Sequence, residues 1–209
     1  MTRIATGSPP YWADAKTHLR AVDAVMADLI DTYEEPPLRS HGRLFETLTR
    51  AIVGQQISAK AADAIWSRFV TVVGEVVPGR VLSRETDELR AVGLSGRKVE
   101  YIQHLAERGD WLAEQNWAEL SDEAVIKELC TLRGIGPWTA EMMLIFTLMR
   151  PDILPLGDIG IVRCIESLYA NGDRLTSEQL TEYAAPWRPF RTVAVWYLWR
   201  HLDAEPVLY

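Results

Sequence analysis

The residues with chemistry to offer are a glycine pair, an aspartate and a set of tryptophans. Gly134-Ile135-Gly136-Pro137 lies between two segments of helical period. Glycine at 134 and 136 lets the backbone turn without a Cβ penalty. Ile135 is placed to anchor the turn inward, and Pro137 suits a first helical position. The amides of Gly134 and Gly136, with the positive end of the helix that follows, make a seat for a phosphate that is indifferent to base sequence. The carbonyls of the same turn, at Cys130, Leu132 and Ile135, can face inward and hold a monovalent cation, Na+ or K+. Read alone, the four residues are also an ordinary helix–helix connection. About 20 residues further on, Asp158 precedes Ile161, Val162 and Ile165 and is flanked by Pro155 and Gly157. That is an N-cap position, which fixes a carboxylate at a helix start. A fixed carboxylate stabilises positive charge developing on a reacting group and can orient or deprotonate a water. It is equally a plain cap.

The elements that must position these groups read as helices. Apolar residues recur at helical spacing in Val22, Val25, Met26, Leu29 and Ile30, in Leu44, Leu48 and Ile52, and in Ala62, Ile65, Trp66 and Phe69. The period returns around Ile102, Val125, Ile161 and Val193, and no run alternates long enough to make a strand. Val72 to Val77 is interrupted by Gly74 and closes a helix instead. Punctuation agrees: Thr176 with Gln179 forms a capping box, Ser121 is an N-cap, and Asn171-Gly172 ends a helix. The expected fold is all-α, a compact two-lobed helical bundle with its active site in the cleft between the lobes. Residues 1–209 form one unit, with the hairpin at about 125–149 and a loop at 151–158. The acidic stretch Asp31 to Pro37 joins a leading helix to the main body. Leu94-Ser95-Gly96-Arg97-Lys98 echoes the hairpin weakly as a second glycine-containing turn.

Composition narrows the classes. A chain of 209 residues, 48% hydrophobic, can bury a sizeable core. It lacks a long apolar run and a secretory-type start, so a soluble protein of the cell interior with no membrane partner is expected. Cys130 and Cys164 with four scattered histidines make no zinc site, iron–sulfur cluster or disulfide framework. The net charge of −7 argues mildly against a nucleic-acid partner. Local grouping matters more, however, and Arg39, Arg43, Lys60, Arg97, Lys98 and Arg133 all sit beside turns.

The stretch from Leu129 to Asp158 resembles the helix-hairpin-helix, Gly/Pro loop and aspartate of one DNA glycosylase superfamily, known as HhH-GPD. Within it, the DNA-3-methyladenine glycosylase II family is the most similar. Phe45 through Ala61, with Ala51-Ile52-Val53-Gly54-Gln55-Gln56-Ile57-Ser58, is similar to that family's minor-groove edge. Pro186-Trp187-Arg188-Pro189-Phe190-Arg191 resembles the start of its final helix. The likeness spans roughly residues 40 to 203.

The resemblance implies that Asp158 is the catalytic carboxylate of a base-excision-repair enzyme. Such an enzyme flips an alkylated purine of the 3-methyladenine or 7-methylguanine type out of duplex DNA and hydrolyses its N-glycosidic bond. Superfamily members that also cut the strand carry a lysine just after the Gly-x-Gly turn. Trp138 stands there, so a monofunctional enzyme leaving an abasic site is expected. Trp138, Trp187 and Met142 are expected to line the base pocket, where a ring face favours a cationic alkylpurine by about 0.5–2 kcal/mol. Met142, Ile159 and Gly160 stand where some relatives carry bulkier groups, which implies a wider pocket. Gln56 takes the place of the residue pushed into the gap left by the extruded nucleotide, where some relatives use leucine. Ser58, Lys60, Arg97, Lys98, Gly134, Ile135, Gly136 and Thr139 complete the expected DNA contacts. No catalytic cofactor is expected. The chain is expected to be a monomer, in the cytoplasm or nucleoid of a bacterium or the nucleus of a eukaryote. The competing reading is a helix-hairpin-helix module that binds DNA backbone and cuts nothing.

Overall fold

The computed structural model describes residues 6–33 and 37–202. In chain order its helices are α1 (Trp12–Val22), α2 (Ala24–Thr32), α3 (Leu44–Gly54), α4 (Ala59–Val73), α5 (Pro78–Leu82), α6 (Thr86–Ala91), α7 (Gly96–Glu107), α8 (Gly109–Glu114), α9 (Asp122–Leu129), α10 (Pro137–Phe146), α11 (Ile159–Tyr169), α12 (Ser177–Tyr183) and α13 (Arg191–Leu202). A 3-10 turn covers Ala185–Trp187. Among the described residues the only extended pairing is an isolated bridge between Gly7 and Ser40. The all-α expectation therefore holds. No helix among these residues is long and apolar enough to cross a membrane.

The chain divides into two compact units. The first holds residues 42–148, and the second holds residues 6–41 together with 149–202. Helix α10 is the centre of the first. Every residue from Thr139 to Phe146 except Glu141 is buried in it, and it packs on α3 and α9. A helix apolar on all sides must be enclosed. Its neighbours are amphipathic: α3 turns Phe45, Leu48 and Ile52 inward, α4 turns Trp66, Phe69 and Val73, and α7 turns Val99, Ile102 and Leu105. Each buried Leu, Ile or Phe stabilises by about 1.5–3 kcal/mol. Helix α13 does the same work in the second unit, buried from Thr192 through Trp199 and packed on α11, α2 and α1.

The helix ends follow the sequence. Ser121 accepts from the amide of Ala124, the Thr176–Gln179 capping box forms in both directions, and Gly74 ends α4 at φ 78°. After α11, Asn171 and Gly172 take positive φ, and the Gly172 amide closes onto the carbonyl of Glu166. One reading is corrected. The run from Val22 to Ile30 is not one helix, because Asp23 breaks it: its backbone is extended and its carboxylate caps α2 through the amide of Met26. Val22 accordingly belongs to α1 and is exposed. Of the expected joining stretch from Asp31 to Pro37, residues 34–36 lie outside the described residues.

Candidate active site and nucleic-acid interface

The hairpin between α9 and α10 is built as expected. Leu132 and Ile135 are buried anchors, and the amide of Ile135 donates to the carbonyl of Leu132 at 3.1 Å. Gly134 has φ 86°, a left-handed value, and a Cβ placed on it would overlap the ring of Tyr101 on α7. Glycine is required there twice over, by backbone angle and by space. Gly136 differs. It is the N-cap of α10 with no side-chain cap, and a Cβ on it would meet nothing within 4 Å. The N-cap thus brings no side chain to the positive end of α10 and leaves open space where one would point, which suits a phosphate supplied from outside.

Within the same unit, α3 leads into α4 through a short turn. Gln56 is exposed with φ 59°, a left-handed value unusual for a side-chain-bearing residue. Ile57 beside it is 39% exposed. Ser58 caps α4 through the amide of Ala61, and Lys60 is exposed in that helix's first turn. Arg97 is exposed in the first turn of α7, whose cap is Ser95. Gln56, Ser58, Lys60 and Arg97 are therefore all presented to solvent at turns.

Three of the expected site residues have side chains engaged or enclosed within the first unit. Lys98 is half-buried, and its ammonium donates to the carbonyl of Val53 at 2.7 Å, which commits one of its three N–H donors to the end of α3. Burial pushes its pKa below the usual lysine value. The side chain of Thr139 is buried and accepts from Gln55; only its backbone N–H belongs to the first turn of α10. Met142 is enclosed in the core, with 1% of its surface exposed, whereas Trp138, one turn earlier, is half-buried. Of the basic residues beside turns, Arg43 pairs with Glu46 and Arg133 with Glu100. Arg43, Arg133 and Glu100 are exposed and Glu46 is half-buried, and both pairs, reaching solvent, contribute little to stability.

In the second unit, Asp158 is the N-cap of α11, its carboxylate accepting from the amide of Ile161 at 3.1 Å. The loop before it is pinned. Thr192, fully buried at the start of α13, donates its backbone amide to the carbonyl of Pro151. Its hydroxyl donates to the carbonyl of Arg150 at 2.6 Å and accepts from the amide of Ile153 at 3.0 Å. Asp152 receives the guanidinium groups of Arg188 and Arg191. The Asp158 amide itself donates to Pro155. Next to it Gly160 is crowded, since a Cβ there would come within 3.1 Å of the Asp158 carboxylate and 3.2 Å of Leu202. Ile159 is 67% exposed beside the carboxylate.

Trp187, expected in the base pocket, is also enclosed. It is fully buried, its indole N–H donates to Asp23 at 2.7 Å, and its ring lies 5.8 Å from that of Tyr169. Tyr169 ends α11 and Asp158 begins it, a separation of roughly 16 Å along the axis at the usual rise per residue. Trp187 therefore packs at the far end of the helix from the carboxylate. Asp23 receives both the Tyr169 hydroxyl and this indole while capping α2, which gives the motif-free leading segment a structural role. A lone Asp in an amphipathic run carries no sequence signal beyond its helix-capping residue type.

A helix-hairpin-helix with an open glycine cap in one unit, and a loop-borne aspartate at a helix start in the other, define a class of all-α DNA-repair fold. Residues 49–189 match the HhH-GPD superfamily base excision DNA repair protein family, and the chain belongs to it. It is 31% identical over 195 residues to DNA-3-methyladenine glycosylase 1 of Schizosaccharomyces pombe, covering 89% of this chain and 86% of that one. The solved structure of the 3-methyladenine DNA glycosylase of S. pombe in complex with abasic DNA superposes with a TM-score of 0.81 at 31% identity, over 90% of this chain and 95% of that one. A DNA-3-methyladenine glycosidase from Bacillus halodurans gives a TM-score of 0.70 at 34% identity, over 95% and 92%.

Proposed function

We propose that this chain is a monofunctional DNA glycosylase of base excision repair that hydrolyses the N-glycosidic bond of alkylated purines in duplex DNA. The observation that carries the reading is Asp158, a carboxylate fixed as the α11 cap behind a loop pinned by Thr192. As the C1′–N bond breaks, the base leaves with the bonding pair and positive charge spreads over the sugar. The Asp158 carboxylate stabilises that charge, and water adds at C1′ while losing a proton towards it. A base already made cationic by alkylation leaves as a neutral molecule, so no strong general acid is needed. Trp138 occupies the position after the turn where strand-cutting relatives hold lysine, which supports hydrolysis without a Schiff base. Its half-buried ring is the candidate stacking face for the extruded base.

Double-stranded DNA is the partner, and a monomer suffices for it. The open first turn of α10 takes a backbone phosphate, exposed Lys60 and Arg97 add positive charge, and Gln56 enters the gap. Carbonyls at Cys130, Leu132 and Ile135 are hard oxygen donors in one turn, suited to a Na+ or K+ ion that would add positive charge beside the phosphate. The Leu132 carbonyl already accepts one amide and keeps a lone pair. The test is incubation with duplex DNA bearing methylated purines, scored for free base, and then for strand breaks before and after alkali. Free base with alkali-dependent breaks is expected. DNA binding without base release would leave a backbone-binding module, and breaks without alkali or a borohydride-trapped complex would remove the monofunctional assignment.

A further inference from the structure

Two adjacent glutamines leave α3, and the structure gives them opposite orientations. Gln56 is exposed in a left-handed conformation, while the side-chain amide of Gln55 turns back into the first unit. Its nitrogen donates to the carbonyl of Gly134 at 2.9 Å and to the hydroxyl of Thr139 at 3.0 Å. A carbonyl only accepts, so the orientation of the amide is fixed, and both of its N–H groups are committed. The peptide joining Gly134 to Ile135 is thereby held at both ends: its carbonyl by Gln55 and its amide by Leu132. On the other side, Lys98 fixes the carbonyl of Val53 two residues before Gln55.

We infer that Gln55 is a positioning residue that locks the register between the turn carrying Gln56 and the hairpin that seats the phosphate. This rests on the glycosylase reading above. Gln55 touches no base, and its part is mechanical. Extruding a paired nucleotide requires the inserted side chain and the gripped phosphate to act at a set spacing along the strand. If the two turns move independently, the gap is filled late or not at all. A target that is already unpaired makes no such demand. The consequence is a selective dependence on pairing, which a merely structural residue would not produce.

The variant is Gln55→Met, which keeps length and volume and removes both donors. Single-turnover base release is measured on one methylated purine in two duplexes, one fully paired and one with the lesion in a single-nucleotide bulge. The inference predicts that the variant loses at least about tenfold more rate on the paired duplex than on the bulged one. Equal losses on both, or no loss on either, overturn it. Wild-type protein releasing no base from either duplex would instead remove the underlying enzyme reading. A second measurement does not depend on turnover. In an Asp158→Asn background, 2-aminopurine opposite the lesion should brighten on binding, and Gln55→Met should reduce that change severalfold on the paired duplex. An unchanged signal counts against the inference. Thermal unfolding followed alongside identifies a misfolded variant, and Gln55→Glu, which faces the Gly134 carbonyl with a carboxylate, should then show the same selectivity more strongly.

Discussion

Helices α10 and α11 begin in the same way and end up with opposite electrostatic tasks. Each follows a glycine-containing loop with a proline close to the helix start, Pro137 within α10 and Pro155 before α11, and each presents a positive end. At α11 the chain supplies its own anion, with Asp158 accepting from the Ile161 amide. At α10 the cap is Gly136, which has no side chain to offer and unfilled space where a Cβ would point. Under the proposed function, the first arrangement holds the carboxylate where positive charge is to develop. The second leaves the helix end for an anion from outside. On the proposed function, one atom group at the N-cap then separates a helix start that stabilises a cationic transition state from one that grips a polyanion.

The largest effect comes from breaking the α11 side of the pair. Asp158→Asn keeps an N-cap side chain and removes the charge, so the base-release rate should fall on the order of 10²–10³-fold while the unfolding temperature barely moves. Asp158→Ala should lose the same activity and about 1 kcal/mol of stability besides. A single-turnover assay with parallel thermal unfolding separates the two, and an Asn variant within tenfold of wild type would remove the charge argument.

On the α10 side, Gly134→Ala must accept both a left-handed backbone and overlap with the Tyr101 ring. Together these should cost roughly 2–4 kcal/mol in chemical denaturation. The double variant with Tyr101→Ala should return part of the loss attributed to overlap, because residues in contact do not act additively. A smaller change sharpens the comparison directly. Gly136→Asp gives α10 the arrangement of α11. Stability should stay within a few tenths of a kcal/mol, since glycine is already nearly as good a cap. DNA affinity should fall about tenfold, as the bound phosphate then meets a like charge. Unchanged affinity in a fluorescence anisotropy titration would show that no phosphate sits there.

Sequence patterning reveals both helix starts because capping and turn chemistry are local: Asp158, Pro137, Gly134 and the Thr176 box each act within four residues of themselves. The all-α class is legible for the same reason, through period alone. What patterning does not show depends on partners distant in the chain. Trp187 reads as a pocket residue, yet its partners Asp23 and Tyr169 lie 164 and 18 residues away by number. Lys98 reads as a phosphate ligand, yet its ammonium donates to Val53, 45 residues earlier. Thr192 carries no signal, and Gln55 stands out only as a member of the Ala51 to Ser58 run, because a polar residue that satisfies a distant backbone group has no characteristic spacing.

The smallest effect concerns those two basic neighbours, Arg97 and Lys98, which look alike in sequence and stand apart in the structure. Arg97 is exposed, so Arg97→Ala should weaken DNA binding a fewfold and flatten the dependence of log affinity on log salt by about 0.9 for each phosphate that Arg97 neutralises. Lys98→Met should leave that slope alone, since its ammonium is held by Val53, and should act on the fold instead. Its pKa is lowered by burial, so the folded chain binds that proton less tightly than the unfolded chain does. The penalty for keeping Lys98 charged is therefore fully present below its folded pKa and is relieved as pH rises towards the ordinary lysine range. Wild type should gain on Lys98→Met in denaturant titrations over that alkaline interval. A salt slope that drops for Lys98→Met and not for Arg97→Ala would reverse the two assignments and place the DNA-facing charge one residue further along α7.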